Sequence, residues 1–101
     1  MRNHWYVVSS HGSILFYAAA NPGCTVEEIA RAMWLTPRAV RTVVGDLRRA
    51  EMLHVRRNAR RHHYSVNLDA PLLHPTLRGY TLRPILGEIA GQASRSRVLV
   101  P

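Results

Sequence analysis

Thr25-Val-Glu-Glu-Ile-Ala-Arg-Ala-Met33 and Leu35-Thr-Pro-Arg-Ala-Val-Arg-Thr-Val-Val44 are separated by a single residue, Trp34. The first stretch reads as a short helix. Thr25 is a natural N-cap and Glu28, three residues on, completes a capping box. Val26, Ile29, Ala30 and Met33 then recur at helical spacing, and the helix is expected to stop near Trp34. In the second stretch Thr36 caps and Pro37 takes the first helical position, where its missing N–H is harmless. Val40, Val43, Val44 and Leu47 form the apolar stripe of a helix closing around Ala50 or Glu51. A connection as short as Trp34–Thr36 makes the two helices cross steeply, with small Ala30 at the crossing and Leu35 in the corner. Arg38, Arg41 and Thr42 are left off the stripe, toward solvent.

Working outward, Ser10–Ala20 reads as a helix with Ile14, Leu15, Ala18 and Tyr17 inward, ended by Asn21-Pro22-Gly23. Downstream, Leu53 and Val55 alternate with His54 and Arg56, and Tyr64, Val66 and Leu68 alternate with His63, Ser65 and Asn67. That periodicity predicts a hairpin with its turn around Asn58–Arg60 and a basic tip. After a proline-bounded connection, Thr76–Gln92 carries Leu77, Tyr80, Leu82, Ile85, Leu86 and Ile89 and is read as helical. Gly79, Pro84, Gly87 and Gly91 weaken that helix, and Pro84 either kinks it or marks the first turn of a separate one. The tail from Ala93 to Pro101 is expected to fray. The fold class is therefore mainly α with a small β-hairpin (α+β). Residues 1–75 form the helical and hairpin unit and residues 76–101 a C-terminal helical segment of the same compact body.

Composition narrows the function. The 101 residues are 47% apolar, a globular composition with room for one core. All fourteen basic residues are arginine, against six acidic ones, for a net charge of +8. Arg38, Arg41, Arg48, Arg49, Arg56, Arg57, Arg60 and Arg61, opposed only by Asp46 and Glu51, place +6 of that charge between Thr36 and His63. A source-genome bias accounts for the missing lysine but not for the clustering. A block of one sign points to a polyanion, with nucleic acid ahead of anionic membrane. No apolar run is long enough for a membrane span and Met1–Val8 lacks a secretory core, so a soluble, cytoplasmic protein is expected.

The stretches quoted above, followed by Asp46-Leu-Arg-Arg-Ala-Glu-Met-Leu53 and the basic Arg56–His63 tip, resemble the winged helix-turn-helix regulators of the MarR and ArsR type. The resemblance covers residues 11–68 and, less closely, the C-terminal segment. Trp34 departs from it, standing in the turn where the family usually has a glycine suited to a left-handed backbone. A bulky residue there either accepts the strain or sends the turn along a different path, and it adds exposed aromatic surface.

The resemblance implies a double-stranded DNA-binding transcriptional regulator, a dimeric repressor associated with the nucleoid when bound. The helix from Thr36 to Ala50 enters the major groove and the wing reaches the backbone or minor groove. Thr36 and Pro37, at the helix start, meet a phosphate. Arg38 and Arg41 reach base edges, and Thr42 offers its methyl or hydroxyl to thymine. Arg56, Arg57, Asn58, Arg60 and Arg61 grip the backbone, one arginine entering a narrow minor groove, with His62 and His63 as auxiliary contacts. The C-terminal apolar residues Leu77, Tyr80, Leu82, Ile85, Leu86 and Ile89, with Trp5, are the natural dimer surface. An effector, if one exists, binds between the subunits. Arg48 and Arg49 are read as surface residues, Arg49 within reach of Asp46.

No metal or other cofactor is expected. Six histidines and one cysteine show no i, i+4 pair, and His62 and His63 point to opposite faces of a strand. Cys24, near a helix start, is either a redox-active thiol or a small buried hydrophobe; the chain holds no resolving cysteine, which favours burial. No nucleophile–base pair, phosphate loop or carboxylate pair points to an enzyme. The competing reading is a winged-helix module for protein–protein or RNA contact; the basic helix face and tip argue against a purely protein partner.

Overall fold

The structure is a computed structural model that describes residues 9–58, 61–72 and 75–99. Helix α1 (Ser10–Ala20) begins where the Ser9 hydroxyl accepts the Gly12 N–H at 3.3 Å. It ends at Asn21, whose backbone and side-chain N–H groups both donate to the Tyr17 carbonyl, at 2.8 and 3.1 Å. Ile14, Leu15, Ala18 and Ala19 are buried, and α1 lies centrally, touching every other helix and the hairpin.

Helix α2 (Val26–Met33) starts in the expected capping box: Thr25 N–H donates to Glu28 Oε1 at 2.8 Å, and Glu28 N–H donates to Thr25 Oγ1 at 3.1 Å. Helix α3 (Pro37–Arg49) is capped by Thr36, which accepts the Ala39 N–H at 3.1 Å. Val40, Val43, Val44 and Leu47 are its buried stripe, and Ile29 and Ala30 are buried on α2. The helix closes with the N–H groups of Glu51 and Met52 donating to the carbonyls of Arg48 and Leu47 (both 2.9 Å), which requires a left-handed Glu51 at φ 59.

The hairpin follows. Strands β1 (Leu53–Asn58) and β2 (Arg61–Val66) are antiparallel, with Leu53 opposite Val66, Val55 opposite Tyr64 and Asn58 opposite Arg61. Leu53 and Tyr64 are buried in the same core as the helices, and Tyr64 N–H donates to the Pro22 carbonyl at 2.8 Å, fastening β2 to the α1–α2 connection. The second strand stops at Val66, short of Leu68. There Asn67 turns the chain, its N–H on the Met52 carbonyl and its Nδ2 on the Glu51 carbonyl, both at 2.9 Å.

The C-terminal segment is not one helix from Thr76; of the two courses expected at Pro84 it takes the second, the first turn of a separate helix. It is a 3-10 turn at Pro75–Leu77, a bridge between Pro71 and Thr81, and a separate helix α4 (Arg83–Leu99). Gly79 at φ 90 breaks the chain between them. Pro84 falls in the first turn of α4, the one place in a helix that tolerates it. The helix runs through the expected frayed tail to Leu99, since no glycine or proline follows Gly91 before that point.

Two residues expected at a dimer surface are corrected. Leu82 (3% exposed) and Leu86 (0%) belong to the chain's own core, where α4 packs on α1. An amphipathic turn has one inward face, and these two positions, four apart, are that face.

Candidate nucleic-acid interface

On α3 the buried stripe fixes what is left outside. Thr36, Pro37, Arg38, Arg41, Thr42, Arg48 and Arg49 are all exposed. Thr36 is engaged in its cap, and three of the others have partners. Arg49 Nη2 donates to Asp46 Oδ1 at 2.6 Å, the pairing expected three residues apart. Arg41 Nη2 stands 3.7 Å from Glu27 Oε2, with both side chains 61% exposed. A long, solvated ion pair of this kind contributes little, so a phosphate or a guanine edge can displace the carboxylate. The Thr42 hydroxyl donates to the Arg38 carbonyl at 3.2 Å. Arg38 and Arg48 have no ion pair among the described residues.

Arg56 and Arg57 are exposed on β1. The register puts Arg56 opposite His63 and Arg57 opposite His62. Both histidines are half-buried; the His62 ring meets Tyr64 edge-on, with centroids 6.3 Å apart and planes at 82°. Arg60, the side chains of Asn58 and Arg61, and Trp5 lie outside the described residues.

Sequence reasoning passed over two charged groups here. Arg31, in the last turn of α2, is exposed and without an ion pair among the described residues; its position three residues before Trp34 was the available signal. His11 Nε2–H donates to Asp46 Oδ2 at 2.8 Å across the α1–α3 contact, a long-range pairing that local spacing does not reveal. Hydrogen bonds from His11 and then Arg49 hold the Asp46 carboxyl below its ordinary value of 3.8.

Trp34 resolves one question in the turn. It adopts the left-handed conformation itself (φ 58, ψ 43), as the glycine of the related pattern would, and the Leu35 N–H closes on the Ala30 carbonyl at 2.9 Å. Its side chain is 92% exposed. Cys24 is 5% exposed and its thiol is pushed up to about 11, first by burial and then by the Glu28 charge, so it is a buried small hydrophobe and not an activated nucleophile. Among the described residues no three His, Cys, Asp or Glu side chains gather as a metal set, and no described helix is long and apolar enough to cross a membrane.

No protein-family model matches the sequence, and no curated protein matches it. Solved structures do. MepR, a transcription regulator of the Staphylococcus aureus multidrug efflux pump MepA, superposes over 94% of this chain with a TM-score of 0.58 at 17% identity. A Lactococcus lactis ZitR variant superposes over 97% with a TM-score of 0.56 at 18% identity. The fold is a winged helix-turn-helix. A MepR variant bound to an oligodeoxyribonucleotide shares it as well, over 94% of this chain with a TM-score of 0.56 at 17% identity. The chain spans 67% of MepR and 60% of ZitR. In this winged helix, α2 and α3 are the helix-turn-helix, and β1 and β2 are the wing.

Proposed function

We propose that this chain is a sequence-specific, double-stranded DNA-binding transcriptional regulator that works as a dimeric repressor in the cytoplasm. The observation that carries the proposal is the α3 surface. A helix anchored by four buried apolar residues presents Arg38 and Arg41 outward, behind a Thr36-capped N-terminus, with a basic wing beside it. The N-terminal part of a recognition helix is what enters the major groove, and arginine is the side chain that grips guanine in two places. Thr36 and Pro37 meet the phosphate, Arg38 and Arg41 the base edges, and Thr42 a thymine methyl. Arg56, Arg57, Asn58, Arg60 and Arg61 hold the backbone, with His62 and His63 in support. The shared fold of a regulator solved with an oligodeoxyribonucleotide supports this docking mode.

A single unit of this kind reads few base pairs, and two-fold pairing doubles the site. Leu77, Tyr80 and Ile85 are 40%, 59% and 44% exposed and close together in sequence, and with half-buried Ile89 they supply the apolar surface for pairing. A repressor that acts by occlusion needs no catalytic machinery, and an effector would bind between the subunits.

The test is binding to labelled duplex from the region upstream of the chain's own gene and to a scrambled duplex, across a salt series. Tighter binding to the upstream probe with a steep salt dependence is expected. Failure to bind either duplex at low salt would remove the proposal.

A further inference from the structure

Trp34 combines two unfavourable features with no return inside the chain. A non-glycine residue in the left-handed region is strained, and an indole 92% exposed keeps its apolar surface in water. The other exposed large apolar side chains among the described residues, Leu77, Tyr80 and Ile85, lie in the segment proposed for pairing; Trp34 stands apart from them in the helix-turn-helix. It directly follows α2 and lies two residues before the Thr36 cap of α3. Arg31, three residues before it, and Arg38, four after it, are exposed and carry no ion pair among the described residues. An exposed indole flanked in sequence by two exposed arginines without ion pairs among the described residues, just ahead of the recognition helix, matches one kind of surface well. Along a DNA strand, charged phosphates alternate with apolar deoxyribose.

We propose that Trp34 is a DNA-contacting residue, its indole lying against deoxyribose at the edge of the major groove while Arg31 and Arg38 take the flanking phosphate and the groove. This rests on the DNA-binding function proposed above and adds a contact to it. Charge decides against a protein surface as the occupant: two exposed arginines within four residues of the indole, without ion pairs among the described residues, favour a polyanion. Because every nucleotide carries a sugar, the contact strengthens binding to any duplex and leaves sequence preference to Arg38 and Arg41.

The test uses the full chain carrying W5F, so that Trp34 is the sole tryptophan. Its fluorescence is followed while sheared mixed-sequence duplex DNA is added at low salt, and affinities are measured for W34G and R41A beside the parent. A change in Trp34 emission on binding is expected, together with a loss of about tenfold in affinity for W34G, the size of one aromatic contact. Since glycine suits the left-handed turn, W34G folds at least as stably as the parent, and a thermal melt separates lost contact from lost fold. Unchanged emission and unchanged W34G affinity, with the parent still binding DNA and R41A weakened, overturn the Trp34 contact and leave the DNA-binding function standing. A parent that binds no DNA overturns both.

Discussion

Tyr64 is 2% exposed, and its hydroxyl is the one buried side-chain polar atom among the described residues without a hydrogen-bond partner. Burial, and then the nearby Cys24 and Glu27, push its ionisation upward, so the group stays a neutral, unpaired phenol. Leaving a buried hydroxyl unpaired costs about 1–3 kcal/mol. Y64F removes that penalty without changing the ring, and equilibrium denaturation should show it equal to or about 1 kcal/mol more stable than the parent. A loss of similar size would mean that the hydroxyl has a partner. Glu51 makes a second residue-scale case. It occupies a left-handed position just past the C-terminus of α3, where glycine is usual and where a negative charge opposes the helix dipole. E51G should therefore raise stability by about 0.5–1 kcal/mol. The strain at Trp34 could be raised from sequence because a related pattern gives the turn a glycine. Glu51 could not be singled out the same way, since nothing in Ala50-Glu51-Met52 marks which residue takes the positive φ.

At the scale of elements, local chemistry made most of the fold legible. Helix α1 and the caps at Thr25 and Thr36 fall where residue types place them, because capping and apolar periodicity act within one or two turns. What local patterns could not supply was contact between distant segments. Leu82 and Leu86 have the same hydrophobic character as Ile85, and only the docking of α4 on α1 shows that the first two face inward. The same holds for Asp46, which bridges α1 and α3 through His11 and is also held by Arg49. Its carboxyl titrates below 3.8 in the folded chain and near 3.8 unfolded, so folding favours the ionised form. The resulting stability is fully present above the unfolded value and is lost as pH falls through the folded one. D46N should accordingly flatten the decline of stability with falling pH below 3.8, measured by denaturation at a series of pH values. An unchanged pH profile in D46N would show that the His11–Asp46–Arg49 cluster adds nothing to folding.

For the whole molecule, the proposed function rests on two surfaces: the basic face of α3 with its wing, and the exposed apolar residues Leu77, Tyr80 and Ile85. The first was legible because arginine clustering is visible in sequence and the α3 stripe fixes its outward face. The second was legible only as a segment, and its inward and outward members separated once packing was known. If the patch pairs two copies, the double variant Y80E/I85E should sediment as a monomer where the parent sediments as a dimer. It should also bind a two-half-site operator at least about tenfold more weakly, since the second half-site no longer adds to the first. A double variant that stays dimeric would place pairing on another surface, and a parent already monomeric at working concentration would contradict the proposed dimer.

The central claim is that α3 reads base sequence while the wing holds the backbone, and one comparison tests it most directly. Affinities of the parent, R38A and R57A would be measured for a duplex selected by the parent from a randomised pool and for a mixed-sequence duplex. R38A should lose about 1–3 kcal/mol on the selected duplex and much less on the mixed one. R57A should weaken both about equally and lower the salt slope by about one. If R38A weakens both duplexes equally, or neither, Arg38 does not read bases and the assignment of α3 as the recognition helix is contradicted.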